Sequence, residues 1–460
     1  MHAAGVPIVS SEGTTMTQTT APPIAATSPP KPTNKRRAWI VVGLLVLFML
    51  INHADKSVIA FAGVQIQQDL GLSSQQFGLL QSSFFWLFAA GALFFGWLSS
   101  RVNLRWLLAG LMLTWVATMI PLLGTVSFGV LIACRVILGF AEGPAFALAN
   151  HAAHSWFPPE KRAMAGGFVS SGASIGTLIA APTLTFIISR WSWHAAFYVL
   201  IAMGILWAVA WLIFGRTAGD DGEAPVSTVV VETVDAPYKA ILKTGTVVGI
   251  AILMFSSYWS TTLKIAWLPV YLQEGLGYDT ATTGQLMMLP YGLAAIGAIA
   301  AGWFSGRLVA RGVSRRIARG YLSAVLVAGA GLSMAGFTFL QQGMPQLILI
   351  ALAFSLNTAA FGVALSAIAD VVQAKKRGMV LGMLSAVASI SGMVAPLVLG
   401  FAVGSSVDKI TGYAIGFQSS GALMIVGAVI AVFLVNPERD IAVIRRRVEQ
   451  AARPSVEETA

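Results

Sequence analysis

Twelve long apolar stretches with almost no charge inside them constrain this chain more than any other feature. They run roughly over 38–60, 78–100, 105–124, 128–149, 163–188, 193–215, 247–272, 282–306, 317–340, 345–368, 379–402 and 412–435. Each approaches the ~20 residues that an α-helix needs to cross a hydrocarbon layer. Hydrophobic residues make up 56% of the chain and charged residues only 10%. A soluble domain carries about 25% charged residues, so most of this chain cannot face water. Continuous apolar runs favour helices, because a membrane barrel alternates apolar and polar residues over segments of ~10. The expected class is an all-α membrane protein of twelve transmembrane helices.

The stretches also repeat. Gly96-Trp-Leu-Ser-Ser-Arg101 recurs 206 residues later as Gly302-Trp-Phe-Ser-Gly-Arg307. Glu160-Lys-Arg-Ala-Met-Ala-Gly-Gly-Phe-Val-Ser170 recurs as Lys375-Lys-Arg-Gly-Met-Val-Leu-Gly-Met-Leu-Ser385, now 215 apart. A membrane chain duplicated this way has two equivalent six-helix halves able to rock about a shared site, which is the architecture of a secondary transporter. The expected organisation is a disordered cytoplasmic tail over 1–37, six-helix bundles over 38–215 and 247–436, a cytoplasmic linker over 216–246 and a basic cytoplasmic tail over 437–460. Residues 1–37 contain no apolar core of the kind a signal peptide needs.

The net charge of +10 raises the possibility of a nucleic-acid surface, and its placement argues against one. With a cytoplasmic N-terminus, the external loops hold only Arg190 and Lys409 and the spans hold Lys56, Arg135 and Lys264; every other Lys and Arg falls on the cytoplasmic side. This is the positive-inside pattern. It predicts a multi-pass protein of the plasma (cytoplasmic) membrane with both termini inside. The single Cys134 sits in an apolar stretch and has no disulfide partner within the chain.

Glycines concentrate in the fifth, eighth and eleventh stretches, at Gly166, Gly167, Gly172, Gly176, Gly292, Gly297, Gly302, Gly382 and Gly392. Small residues let helix backbones approach closely in lipid. These three helices, with the second, are expected to form the sliding interface between halves, with kinks at Pro182 and Pro396.

Ionisable groups inside a span cost about 2.5–3.5 kcal/mol each on insertion scales. The chain keeps five: Asp55, Lys56, Arg135, Glu142 and Lys264. The three cations share a depth, and Glu142 lies two turns beyond Arg135 on one helix face. Two readings are open. One is a structural salt-bridge network. The other starts from the imbalance of three cations against two carboxylates, which an anionic ligand would neutralise: Lys56 and Arg135 then bind the anion, Asp55 and Glu142 carry protons, and Lys264 reaches in from the second half. Binding is expected in a wet central cavity. His53, one turn before Lys56, and Tyr258 are further candidates for its wall.

At this point the motifs resemble the major facilitator superfamily, and within it the anion:cation symporter family, which includes sugar-acid and aromatic-acid permeases. The superfamily loop motif, Gly-x-Leu-x-Asp-Arg-x-Gly-Arg-Arg, matches from Gly96 through Arg101 to Arg105, with Ser100 in place of the usual Asp and Asn103 in place of the usual Gly. Its second copy holds Gly302 and Arg307. Closer to the family pattern are Arg135, Gly139, Glu142-Gly-Pro144, Asn150 and Trp156-Phe-Pro158, then Trp267-Leu-Pro-Val-Tyr-Leu272. The usual Asn-Tyr-x-Asp-Arg of helix one reads Asn52-His53-Ala54-Asp55-Lys56 here. The resemblance implies Asp55 and Glu142 as protonatable groups, Lys56 as the cation for a substrate carboxylate, and Arg135 as the partner of the coupling site. It also sets Phe88, Ala173 and Ser389 where sugar-acid members place polar residues, which implies a less polar organic acid, aromatic acids included. It implies a proton-coupled importer working as a monomer, with protons and a small organic anion as ligands and with no cofactor and no metal.

The alternative is proton-coupled efflux of a drug or metabolite. Exporters of the superfamily carry Gly-Pro-x-x-Gly-Gly in helix five, which Gly176-Thr-Leu-Ile-Ala-Ala-Pro182-Thr-Leu-Thr185 lacks. An enzyme fits worse, since no metal-ligand cluster, nucleophile elbow or phosphate loop is visible.

Overall fold

The computed structural model describes residues 35–157, 159–216 and 237–452. Residues 1–34 of the expected N-terminal tail, most of the linker, and residues 453–460 lie outside that range; Lys35–Arg37, expected in the tail from the sequence, begin the first helix. Among the described residues there are helices and no strands. Twelve helical spans are long and apolar enough to cross a bilayer. In chain order they are Lys35–Phe61, Ser74–Leu98, Leu104–Leu123, Phe128–Ser155, Met164–Arg190, Trp193–Phe214, Gly245–Ala266, Thr280–Ala310, Arg316–Phe339, Met344–Val371, Lys376–Ser405 and Lys409–Leu434, numbered one to twelve below. Spans five and eleven stay helical through Pro182 and Pro396. A further helix, Pro437–Ala452, docks back on the bundle. There the buried Asp440 accepts the Thr246 N–H at 2.6 Å, and the Glu438 carboxylate accepts the backbone N–H groups of Arg315 and Arg316.

The duplication read from the loops extends to the packing. Span one packs along five, two along four and three along six; in the second half seven packs along eleven, eight along ten and nine along twelve. The caps repeat as well. Ser73 starts span two by accepting the Gln76 N–H, and Asp279, 206 residues on, starts span eight by accepting that of Thr282. The Thr282 hydroxyl and backbone N–H hold the Asp279 carboxyl below its usual range. Asp408 does the same for span twelve through the backbone N–H and hydroxyl of Thr411. A side-chain oxygen satisfies an orphan helix donor at each of these starts.

In lipid, helices gain little from hydrophobic burial against each other, so close backbone approach carries much of the packing. A Cβ at Gly139 would fall 1.7 Å from the Phe84 carbonyl oxygen, one at Gly143 would fall 2.0 Å from that of Phe88, and one at Gly91 would fall 1.9 Å from that of Phe140. Spans two and four are thus locked backbone to backbone. Gly172 and Gly176 press on span one inside the first half, and Gly167, Gly292, Gly302 and Gly382 face open space. The glycines that join the halves are instead Gly78 and Gly400 between spans two and eleven, Gly392 against Phe85, and Gly284 against Ala181 and Thr185 of span five. The helices expected at the interface are there, but most of the glycines expected to make it are not.

These inter-half contacts run from the middle of the spans toward one end, the end away from the basic loops. There Trp267 Nε1 donates to the Pro396 carbonyl at 3.1 Å, Gln81 Nε2 to that of Ala266 at 2.9 Å, and Gln273 Nε2 to that of Phe61 at 3.4 Å. At the basic end, the lower half of span two has few contacts with span eleven, and an apolar groove opens between spans seven and eleven, lined by Val248, Phe255, Met383 and Val387 among others. The two halves are thus closed on each other at the far end, and spans two and eleven part toward the basic end.

We expect Gly139→Ala to push spans two and four apart, lowering the thermal midpoint by several degrees and broadening the elution profile of purified protein. Gly96→Ala meets nothing within 4 Å and should leave both unchanged.

Candidate functional site

Helix breaks position the site. Span four is two helices, Phe128–Glu142 and Ala145–Ser155, parted at Gly143-Pro144; Pro144 has no N–H to return to the Phe140 carbonyl. Glu142 is therefore the last residue of its helix. Span two is also two helices, Ser74–Ser83 and Phe88–Leu98, and its break at 84–87 lies against Gly139 and Gly143. Nothing in the sequence of that break, which contains neither Gly nor Pro, announces it.

The breaks enclose the charged cluster. Lys56 Nζ lies 2.8 Å from Glu142 Oε2 and donates a directed hydrogen bond to Asn52 Oδ1 at 2.6 Å. The contact with Glu142 is ionic, without the alignment of a hydrogen bond. The Asp55 and Glu142 carboxyls sit within side-chain hydrogen-bonding reach of one another, yet neither Asp55 oxygen has a protein donor. Two ionised carboxylates are acceptors only, so this contact becomes a hydrogen bond when one proton is present. The Arg135 guanidinium is close enough to attract both carboxylates. Its Nη2 donates to Gln81 Oε1 at 3.2 Å, while Nε and Nη1 lack a hydrogen-bond partner. Tyr258 brings the second half to the cluster, near Glu142 and edge-on to Phe85 at 6.1 Å.

The cluster is buried in this conformation and does not line a wide central cavity. Asp55 and Glu142 are 1% exposed and Arg135 is 4% exposed. Phe84 and Phe88 cover it: the Arg135 guanidinium stands 4.8 Å from the Phe84 ring centroid, and Lys56 Nζ stands 5.9 and 6.0 Å from the Phe84 and Phe88 centroids. Ring faces stabilise cations that have left water.

The remaining candidates lie elsewhere. Lys264 turns into the second half, where it donates to the Phe354 carbonyl at 2.9 Å and lies 4.9 Å from the Tyr291 ring centroid. His53 directs Nδ1 to the Met49 carbonyl of its own helix at 3.1 Å, and Ser389 returns its hydroxyl to the Ser385 carbonyl at 2.9 Å. In the loops, Arg101 stacks on Trp97 at 3.9 Å and Arg307 on Trp303 at 5.0 Å, while Arg105 donates to the Leu212 carbonyl at the end of span six. A Cβ at Gly96 or Gly302 would meet nothing within 4 Å. Sequence reasoning passed over Gln81 and Asn52. The signal for each was an amide side chain inside an apolar stretch.

The profile of the Major Facilitator Superfamily matches residues 45–330. The chain belongs to this superfamily. The transporter is 28% identical over 412 residues to a protein of Cupriavidus necator named as a probable sulfoacetate transporter, covering 86% of this chain and 94% of that one. It is 26% identical over 423 residues to the D-galactonate transporter of Escherichia coli, covering 87% and 96%. Among solved structures it is similar to a bacterial homologue of the human lysosomal transporter Spinster, with a TM-score of 0.74 at 18% identity, covering 89% and 98%.

Breaking a buried ion pair costs about 3–5 kcal/mol, because one charge is left unpaired. Glu142→Leu should lower the thermal stability of the detergent-purified transporter accordingly. Lys56→Leu combined with Glu142→Leu should restore most of the loss, and differential scanning fluorimetry on the three proteins decides it.

Proposed function

We propose that this protein takes up a small organic anion together with protons by alternating access, with the basic end in the cytoplasm. The observation that carries the reading is the buried contact of Lys56 with Glu142, with the donor-free Asp55 carboxyl beside it. An anionic cargo competes with Glu142 for the same ammonium. A proton on Glu142 removes its charge and frees Lys56 for the cargo. Loss of that proton lets Glu142 take Lys56 back and expels the cargo. Occupancy and protonation are thereby linked, as symport requires.

Several features support each part. The names of the relatives, sulfoacetate and D-galactonate transporters, point to small anions of acids as the cargo class. The charge sum agrees: with one proton between the carboxyls, the cluster keeps a net positive charge from Lys56 and Arg135, and a monoanion neutralises it. Phe84 and Phe88 beside the ammonium favour a cargo with an apolar or aromatic portion. The placement of basic loops supports the cytoplasmic orientation. In that orientation this conformation is closed toward the outside, and in this reading Lys56 held by Glu142 belongs to the empty carrier after release. Lys's single ammonium grips one carboxylate or sulfonate oxygen at a time, where an Arg would grip two. His53, Lys264 and Ser389 enter the cargo site in this reading only if the outward-facing state turns them toward it.

The test begins with a thermal-shift panel of carboxylates and sulfonates on the purified protein, since a cognate ligand stabilises by mass action. The labelled hit is then followed in right-side-out and everted vesicles. The wild type should accumulate it against its gradient when the outside is made acidic. Glu142→Gln should keep cargo exchange within a few-fold yet lose pH-driven accumulation. Uphill uptake by Glu142→Gln, or accumulation indifferent to the pH gradient, would overturn the mechanism.

A further inference from the structure

Gln81 is used by nothing so far described, although it is 2% exposed and makes the one direct hydrogen-bonded path among the described residues from the charged cluster to the shut gate. It lies at the end of the upper helix of span two, three residues before the break at 84–87. Its Oε1 accepts from Arg135 Nη2 at 3.2 Å, and its Nε2 donates across the inter-half boundary to the Ala266 carbonyl, the last residue of span seven, at 2.9 Å.

An amide has one acceptor end and one donor end, and a guanidinium only donates. Arg135 therefore fixes which way the amide points. Flipping it would set NH2 against guanidinium and carbonyl against carbonyl, losing both bonds. While Arg135 holds Oε1, the NH2 group is presented to span seven and the gate is tied. Arg135 is also free to leave, since its Nε and Nη1 lack hydrogen-bond partners and both carboxylates attract it. The charged groups facing Arg135 are Asp55 and Glu142, with Lys56 held on Glu142. When both carboxylates are ionised the guanidinium is drawn toward them and away from Gln81. The amide then turns freely and the bond to Ala266 weakens.

We propose that Gln81 is a positioning residue that transmits the charge state of the Asp55–Glu142–Arg135 cluster to the gate between spans two and seven. The break at 84–87 lets the upper helix of span two, which carries Gln81, move separately from the lower one. The proposal rests on the reading of this chain as an alternating-access transporter. It does not rest on the identity of the cargo or on proton coupling.

The test reads the gate directly. Ser74 is buried at the closed contact with Gly400, so Ser74→Cys in a Cys134→Ala background reports opening through its rate of maleimide labelling in detergent, without cargo or a pH gradient. Gln81→Met keeps the side-chain length without either polar end. Gln81→Glu keeps an acceptor for Arg135 but, ionised, cannot donate to the Ala266 carbonyl. Each should label about tenfold faster than the parent, the scale of one buried hydrogen bond whose acceptor is left unsatisfied. Arg135→Gln should also speed labelling, with an effect that largely vanishes in the Gln81→Met background. Should Gln81→Met fail to elute as a single species, Gln81→Glu carries the same readout. Labelling within twofold of the parent in the folded Gln81 variants overturns the latch, and effects of Arg135→Gln and Gln81→Met that multiply overturn the link to the cluster. Failure of the carboxylate panel or of vesicle uptake would count against the transport reading and leave this outcome untouched.

Discussion

The contact of Lys56 with Glu142 organises the first half of this protein. A lone ammonium or carboxylate at this depth would cost several kcal/mol, and neither is left alone. To bring the two together, span four must end a helix at Glu142, and Gly143-Pro144 provides that end. Gly139 and Gly143 then admit the backbone of span two at a distance no larger residue allows. The break in span two follows from that approach, and it places Phe84 and Phe88 over both cations. The ion pair, two helix breaks, two close-packed glycines and an aromatic cover thus occupy one place in the fold.

Much of the fold was legible because the bilayer permits few solutions. Apolar length and the repeated Gly-Trp-x-Ser strings were enough to predict twelve helices in two equivalent halves. The five ionisable residues stood out because each is costly in hydrocarbon, and four of them do meet. Periodicity could not tell which glycine meets which backbone. Gly302 and Gly392 look alike in sequence, yet one faces open space and the other meets Phe85. The break at 84–87 was equally hidden, since it arises from tertiary contact with span four rather than from its own residues. Gln81 was missed for a related reason: an uncharged amide in a span costs little enough that its presence draws no attention, although its two ends reach different halves.

Burial of the cluster bears on the proposed mechanism. In a site open to water, Glu142 and Lys56 would be screened, and exchange of one partner for a cargo anion would change little. Beneath Phe84 and Phe88, the exchange proposed above would shift the balance among Arg135, Asp55 and Glu142 with little screening. A buried, incompletely satisfied guanidinium is the group best suited to respond, because it has donors to spare and more than one acceptor within reach.

The duplication sharpens the contrast between halves. Span one carries Lys56 against span four, and span seven carries Lys264 against span ten, at nearly equivalent places. Span ten is also broken there, between Met344–Ala353 and Leu356–Val371. But where the first half offers the Glu142 carboxylate, the second offers the Phe354 backbone carbonyl, with Ser260 and Ser257 donating to neighbouring carbonyls of the same span. A backbone carbonyl cannot take up a proton at physiological pH or be neutralised by one. The second half has therefore kept the geometry of a cation held at a helix break and lost the titratable partner. In the proposed alternating-access cycle this divides the labour: the first half supplies the contact that the proposal has protons and anions rearrange, and the second supplies a fixed counterpart.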